Sequence, residues 1–205
     1  MDLKNEEFEI QDGVLYNYKG NGGTVFIPEG VTKIGNSVFK EKNVEEVIIP
    51  NTVVEIGNFA FGQNKLSRVI IPESIEIIGD FAFYENQIKY AWISEGEKKI
   101  GEYAFYNNKI IQLTLPETLE EIGNNAFNLN KIKNLIIPKN IKTIKQNAFS
   151  INEIDTVIFS DNLESIEKEA FKFNPIKNYT YIGEKVKIDD LAFDTIAKQF
   201  IKRTK

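Results

Sequence analysis

Residues 61–83 read FGQNKLSRVIIPESIEIIGDFAF and contain one complete unit of a 22-residue repeat that runs through most of this 205-residue chain. One phenylalanine per unit marks the period without a single insertion, at Phe39, Phe61, Phe83, Phe105, Phe127, Phe149, Phe171 and Phe193. An isoleucine recurs five residues before each of these rings. A fixed period of about 20–50 residues is typical of a solenoid, in which every unit forms one coil stacked on the next. We therefore predict a solenoid of 22-residue coils.

The first half of the unit has the pattern of a short strand. Residues 67–71, SRVII, are rich in β-branched side chains and are followed by Pro72, which cannot donate a ladder hydrogen bond. Alternate residues of a strand share a face, so Val69 and Ile71 should point into the coil and Ile70 should point outward. Repeated in every unit, these strands predict a parallel sheet along one side of the solenoid.

The second half of the unit favours a different conformation. Ile75 and Ile78 are three residues apart, and the spacing of residues 80–83 after Gly79 suits a short helical or 3₁₀ turn. Gly79 should permit a backbone bend that a side chain would obstruct. The predicted fold class is thus an α/β repeat, with the parallel sheet on one face and short helical turns or loops on the other.

Asparagine forms a second regular series, three residues after the phenylalanine of each unit. Its members are Asn64, Asn86, Asn108, Asn130, Asn152 and Asn174. An asparagine amide can bond backbone groups of the turn in which it lies. We interpret the series as a structural ladder; the alternative is a role in binding.

Both ends of the chain depart from the repeat, as the caps of a solenoid must. Alternating apolar residues around Asp12-Gly13 and around residues 20–23 predict a β-meander as the N-terminal cap, residues 1–27. The repeats then span residues 28–182. From Asp190 onward, apolar residues at helical spacing and a basic end predict a helical C-terminal cap, residues 183–205. The chain should form a single domain.

Composition excludes several functions. The chain has 25 basic and 30 acidic residues in alternation, a net charge of −5, so the basic face that nucleic acid requires is missing. It contains no cysteine and no histidine, and we expect no cofactor and no metal site. The chain has no apolar run of 18 residues, so we expect no membrane insertion, and the N-terminus does not resemble a signal peptide. A cytoplasmic protein and a surface protein given without its signal both remain open.

Acidic pairs are the only candidates for catalysis. They include Glu45-Glu46, Glu120-Glu121 and Asp189-Asp190. General acid and base chemistry needs a buried carboxyl with a shifted pKa, whereas these pairs fall on outer or turn positions of the coil. No nucleophile with a matching base is visible. We therefore predict that the protein is not an enzyme.

The outward row of the sheet is the candidate binding surface. Several of its positions are apolar, including Ile48, Ile70, Trp92 and Ile136, and polar residues flank them. An apolar stripe with a polar rim is typical of a protein interface, although β-branched residues also suit parallel strands without any partner. Trp92 is the only tryptophan, and aromatic anchors dominate interface energies. The predicted partner-binding residues are Arg68, Ile70, Tyr90, Trp92, Gln112 and Thr114.

Written out, the repeat reads AFxxNxIxxLxIPxxLxxIG and resembles the BspA-type, or treponemal-type, leucine-rich repeats of bacteria over about residues 8–193. The resemblance implies a right-handed leucine-rich-repeat solenoid and a protein-binding module, often at the bacterial surface or secreted. Adhesion to a host matrix protein such as fibronectin, or to another bacterial surface protein, is the function it implies, and a structural spacer within a larger surface protein is the alternative. We expect a monomer.

Several units depart from this motif. Proline is replaced at Ser94, Ser160 and Ile182, and glycine is replaced at Lys145, Glu167 and Asp189. These departures predict local changes of coil geometry, mostly toward the C-terminus.

Overall fold

The computed structural model describes residues 6–179 and 185–194, and within them every regular element is a β-strand. In chain order the strands are β1 Phe8–Gln11, β2 Val14–Tyr18, β3 Gly23–Phe26, β4 Lys33–Ile34, β5 Val44–Ile48, β6 Glu55–Ile56, β7 Arg68–Ile71, β8 Ile77–Ile78, β9 Tyr90–Ile93, β10 Lys99–Ile100, β11 Gln112–Thr114, β12 Glu121–Ile122, β13 Asn134–Ile136, β14 Thr143–Ile144, β15 Thr156–Ile158, β16 Ser165–Ile166, β17 Asn178–Tyr179 and β18 Lys187–Ile188. The predicted solenoid of 22-residue coils is confirmed.

Each coil contributes strands to two faces. The odd-numbered strands from β3 to β17 form what we call the long-strand face, which is divided into the sheets β3-β5, β7-β9-β11 and β13-β15-β17. The even-numbered strands form the short-strand face. Pairing along both faces is parallel and shifted by one repeat, so that Ile56 lies beside Ile78 and Val69 beside Ala91. Identical positions of successive coils therefore lie next to one another. A side chain at any position meets its own equivalents in the coils before and after it.

The predicted helical turns are wrong. Where the spacing suggested a helix, Ile77 and Ile78 form strand β8, and residues 79–83 form a turn. The turn amides donate to the neighbouring coil, as from Phe59 to the carbonyl of Asp80 at 2.9 Å and from Phe61 to that of Ala82 at 2.8 Å. A left-handed φ of 58° at Phe81 also interrupts any right-handed helical run. The fold is a β-solenoid and not an α/β repeat.

The N-terminal cap is a hairpin and not a meander. Strands β1 and β2 pair antiparallel around Asp12-Gly13, as predicted. Strand β3, however, pairs parallel with β5 on the other face of the coil. Residues 19–22 carry the chain across, and Gly22 allows a close approach, because a Cβ there would lie 2.1 Å from the carbonyl oxygen of Lys42. At the other end, residues 185–194 contain strand β18 and no helix, and residues 195–205, the bulk of the predicted C-terminal helix, lie outside the described residues.

The core is a continuous column of phenylalanine rings. The eight rings of the repeat are at most 4% exposed, and consecutive rings are 5.0–5.7 Å apart between centroids, with interplanar angles of 0–13°. Alanine directly before each ring from Phe61 onward is fully buried and leaves room for the stack. The distance between stacked rings is thus similar along the whole solenoid, and it is close to the distance of about 4.8 Å between neighbouring strands.

Asparagine forms the expected structural ladder beside this column. The Oδ1 atom of Asn108 accepts a hydrogen bond from the amide of Ile88 at 3.1 Å, and its Nδ2 donates to the carbonyls of Phe83 at 2.9 Å and Phe105 at 3.2 Å. The side chain is 6% exposed. Asn108 thus joins its own coil to the preceding one through groups that would otherwise be buried without partners.

Glycine at the end of each short strand has a packing role that differs from the predicted bend. A Cβ on Gly79 or on Gly123 would lie within 2.8 Å of backbone atoms of the preceding coil. The even-numbered strands from β2 to β12 form one continuous sheet, and glycine follows each of the strands β4 to β12 in it. The first coil without this glycine carries Lys145, and the short-strand sheet is interrupted there, whereas β14, β16 and β18 pair with one another although Glu167 and Asp189 also replace glycine. The interruption, which we call the seam at Lys145, thus falls at the first of the predicted glycine departures, and the two later ones leave the short-strand pairing intact.

Replacing one ring of the column tests its contribution. Phe105→Ala removes a fully buried ring stacked at 5.1 and 5.2 Å on its neighbours, and the cavity should lower the free energy of unfolding by about 3–5 kcal/mol. Chemical denaturation measures the loss. Phe173→Ala, at a ring that is 58% exposed, is the matched control and should change stability by less than about 1 kcal/mol. Equal effects of the two variants would contradict the column.

Truncation of the ladder has a smaller expected effect. Asn108→Ala leaves the amide of Ile88 and two carbonyls without their side-chain partner, which should destabilise the protein by about 1–3 kcal/mol. Asn134→Ala, at an exposed position of the long-strand face, serves as control in the same denaturation experiment. A denaturation midpoint for Asn108→Ala equal to that of the parent protein would show that the ladder does not stabilise the coils.

Candidate functional site

The long-strand face has the inward and outward alternation that the sequence predicts. Val69, Ile71, Ala91 and Ile93 are buried, whereas the residues between them point to solvent. The outward side chains are strongly exposed: 61% for Ile70, 58% for Trp92 and 50% for Tyr90. Trp92 is therefore not a core residue. Strand β9, which carries Trp92, pairs with β7 on one side and with β11 on the other, and this pairing fixes the position of the Trp92 backbone.

All six predicted partner-binding residues surround one shallow depression of about 280 Å³, which we call the Trp92 pocket. Its lining is Arg68, Val69, Ile70, Tyr90, Ala91, Trp92, Gln112 and Thr114. Strand register explains the assembly, because Tyr90 lies between Arg68 and Gln112, and Trp92 between Ile70 and Thr114. Three adjacent coils thus contribute two outward side chains each. What the sequence places 22 residues apart, the solenoid places on neighbouring strands.

Two further depressions continue the pocket along the solenoid. One, of about 470 Å³, shares Arg68 and Ile70 with it and extends to Ile48 and Ser94. The other, of about 740 Å³, shares Gln112 and Thr114 and extends to Ile136. The three form a shallow apolar trough over five coils. Exposed Phe26 and Ile158 extend the same outward row toward either end of the array.

The electrostatics of the Trp92 pocket are close to neutral. Arg68 forms an ion pair with Glu46 of the preceding coil, so its charge is balanced. Tyr90 and Gln112, at the same position of the next two coils, carry no charge at neutral pH. The pocket can offer aromatic stacking, apolar contact and neutral hydrogen bonds to a ligand, rather than a charged patch.

Two members of the acidic pairs, Glu46 and Glu121, form ion pairs. Glu121 contacts Lys99 at 3.4 Å and Lys145 more closely, and the hydrogen bond from Lys145 holds the pKa of the Glu121 carboxyl below its usual range. Glu46 pairs with Arg68. Among residues 6–179 and 185–194 no group of three or more potential ligands could hold a metal ion.

A second aromatic series lies on the turn side of the coils. The rings of Phe59, Phe81 and Tyr103 stack at 4.5 and 4.8 Å, and Tyr84 stacks on Tyr106 at 5.5 Å. The five side chains are partly buried. A hydrogen bond from the Tyr84 hydroxyl to Glu85 at 2.8 Å raises the pKa of Tyr84 to about 12. The stacking joins consecutive coils, in agreement with a packing role.

Glu97 is a buried acid that the sequence analysis does not identify. Glu97, in the unit of Trp92, is a fully buried carboxyl, and burial raises its pKa to about 8. The signal was present, because Glu97 occupies the position of Ile75 and Leu119 in the adjacent units.

The fold and the repeat define the class of protein. The family model described as BspA type leucine-rich repeat region (6 copies) matches this chain over residues 9–128 and 76–198. The chain belongs to the BspA-type leucine-rich repeat family. Repeats of this family are generally protein-interaction or surface-protein modules, and the fold is typically non-enzymatic.

Solved structures agree on the fold. The leucine-rich repeat protein of T. pallidum is 16% identical, with a TM-score of 0.58 and coverage of 97% of this chain and 94% of that one. The pneumococcal vaccine antigen PcpA is 22% identical, with a TM-score of 0.56 and coverage of 82% of this chain and 51% of that one. The present chain thus corresponds to about half of that antigen's structure.

Other comparisons add little. No curated protein matches the sequence with significance. In the part of the chain that the structure describes, no helix has the length and apolar character needed to cross a bilayer.

Proposed function

We propose that this protein is a non-enzymatic binding module that holds a protein partner on its long-strand face, with Tyr90 and Trp92 as anchors. The observation that carries the proposal is the Trp92 pocket, in which six outward side chains of three coils surround an apolar floor. Large exposed aromatic side chains beside an apolar pocket are the usual anchors of protein interfaces. Tyr90 and Trp92 combine large contact areas with few rotatable bonds.

The size of the face suits a protein better than a small molecule. The trough runs over five coils, and its depressions are open and shallow, whereas small-molecule sites are concave and enclose most of the ligand. Its neutral character also favours an interface made by apolar contact and hydrogen bonds. Nucleic acid, which requires a basic surface, is not supported.

Family membership supports a role at the bacterial surface. The related structure of PcpA is that of a pneumococcal vaccine antigen, and BspA-type repeats include surface-protein modules. By this analogy the partner is a host matrix protein or another bacterial surface protein, and the module acts in adhesion from the cell surface or in secreted form. We propose a monomeric module.

Truncation of the anchor tests the proposal directly. Trp92→Ala should weaken binding to a matrix protein by at least about 2 kcal/mol, close to 30-fold in Kd, because the anchor loses most of its contact area. Surface plasmon resonance against immobilised fibronectin and a panel of other matrix and bacterial surface proteins measures the effect. The fold should persist, since Trp92 is 58% exposed.

The control for this experiment is Tyr16→Ala, at an aromatic residue that is 53% exposed on the N-terminal hairpin. Its affinity should equal that of the parent protein. Circular dichroism checks that each variant is folded. If the parent protein binds no member of the panel, the alternative function, a structural spacer within a larger surface protein, is favoured. If it binds and Trp92→Ala binds equally well, the interface lies elsewhere.

A further inference from the structure

One core position of the solenoid is occupied by an acid in a single unit. The row formed by residues 31, 53, 75, 97, 119, 141 and 163 contains valine, isoleucine or leucine everywhere except at Glu97. All seven side chains are buried, and Glu97 is 0% exposed. A carboxyl has thus replaced an aliphatic side chain without any gain of solvent contact.

The carboxyl is only partly satisfied. Its Oε1 atom accepts a hydrogen bond from the amide of Lys99 at 3.1 Å, while Oε2 is buried and has no partner. Burying a charge without a partner is far more costly than burying a neutral acid. Desolvation raises the pKa of Glu97 by more than the nearby backbone amides of Lys99, Ile78 and Lys98 lower it, so the environment favours the protonated form.

Charged groups around Glu97 do not compensate an ionised carboxylate. On its own coil, Lys98 pairs with Glu76 of the preceding coil at 3.2 Å, and Lys99 pairs with Glu121 of the following coil at 3.4 Å. Glu76 itself adds repulsion. Glu95, on the same turn, accepts hydrogen bonds from the amides of residues 117 and 118. The nearest side chains in the buried row, Ile75 and Leu119, are neutral.

The turn that carries Glu97 is built differently from its equivalents. We call residues 94–99 the Glu97 turn; it joins β9, the strand of Trp92, to β10. Gly96 has a φ of 117°, and a Cβ there would lie 2.0 Å from the carbonyl oxygen of Glu73. The hydroxyl of Thr118 accepts from the Gly96 amide and donates to the Glu97 carbonyl, both at 3.0 Å. The turn is therefore held from both adjacent coils.

We propose that Glu97 is a proton-operated switch: with its proton, the side chain completes the core row, and without it the Glu97 turn opens toward solvent. Opening would release the bonds to Thr118 and the close contact with Glu73, and it would loosen the end of β9. The inference is independent of the binding role proposed for the long-strand face.

Thermodynamic linkage fixes the direction of the effect. The pKa of Glu97 in the folded protein is about 8, above that of an unfolded glutamate near 4.3. Between these two values the folded state holds one proton more than the unfolded state. The contribution of Glu97 to stability is fully present below about pH 4.3, and it is lost as the pH rises to about 8.

The test compares Glu97→Gln with Glu95→Gln over pH 5–9. Glutamine keeps the shape of the side chain and cannot ionise, so the difference in Tm between Glu97→Gln and the parent protein should grow as the pH rises and level off above about pH 8. Glu95→Gln, at an exposed acid of the same turn, should give a curve parallel to that of the parent over this range, because hydrogen bonds from the amides of residues 117 and 118 lower the pKa of Glu95. Parallel curves for Glu97→Gln and the parent would overturn the proposal.

Two local measurements on the parent protein keep the proposal falsifiable if either variant folds poorly. Carbon-13 NMR of the glutamate carboxyls should show one group that titrates several pH units above the rest, and it should be absent from Glu97→Gln. Hydrogen-exchange protection of amides 96–99 should fall over the same pH range. A set of carboxyls that all titrate near pH 4–5, or protection that does not change with pH, would refute the switch.

Discussion

Exact register between coils is the constraint on which this structure depends. Phenylalanine rings stacked at 5.0–5.7 Å and asparagine amides that reach the preceding coil both require each unit to lie directly over the last. One inserted residue would displace a ring from the column and an amide from its carbonyl together. This requirement explains the uninterrupted period of 22 residues in the sequence. The buried ring, the small alanine before it and the asparagine amide must occupy equivalent positions in every coil.

The character of the long-strand face follows from the same constraint. Because the inward positions are committed to the core and the coils are held in register, the outward positions are free to vary without loss of the fold. Isoleucine, tryptophan and threonine occupy equivalent outward sites at Ile70, Trp92 and Thr114. The scaffold converts a linear series of independent residues into a continuous surface, which is how one architecture can present different surfaces to different partners.

Much of this could be predicted from the sequence, and the failures have identifiable physical causes. Strand positions and the two sides of β7 and β9 follow from alternation, which depends only on local geometry. The helical turn was predicted from the spacing of Ile75 and Ile78, but the turn amides bond the next coil, a partner that local spacing does not reveal. The meander failed for the same reason, because β3 finds its partner in β5 across the coil. Glu97 was missed because its burial is set by the row to which it belongs and not by its neighbours in sequence.

The seam at Lys145 gives the array an uneven stiffness. On the short-strand side the ladder of bonds stops between β12 and β14, yet the rings of Phe127 and Phe149 remain stacked at 5.5 Å and Asn152 still bonds the carbonyl of Phe127. The long-strand ladder stops between the same two coils, because β11 and β13 belong to separate sheets. These coils are therefore joined by the stacked rings and by hydrogen bonds of the turn side, and not by a continuous sheet. Bending should concentrate at this joint, where both ladders stop, so that tilting of the C-terminal coils moves the end of the trough at Ile136 while β7, β9 and β11 around Trp92 keep their pairing.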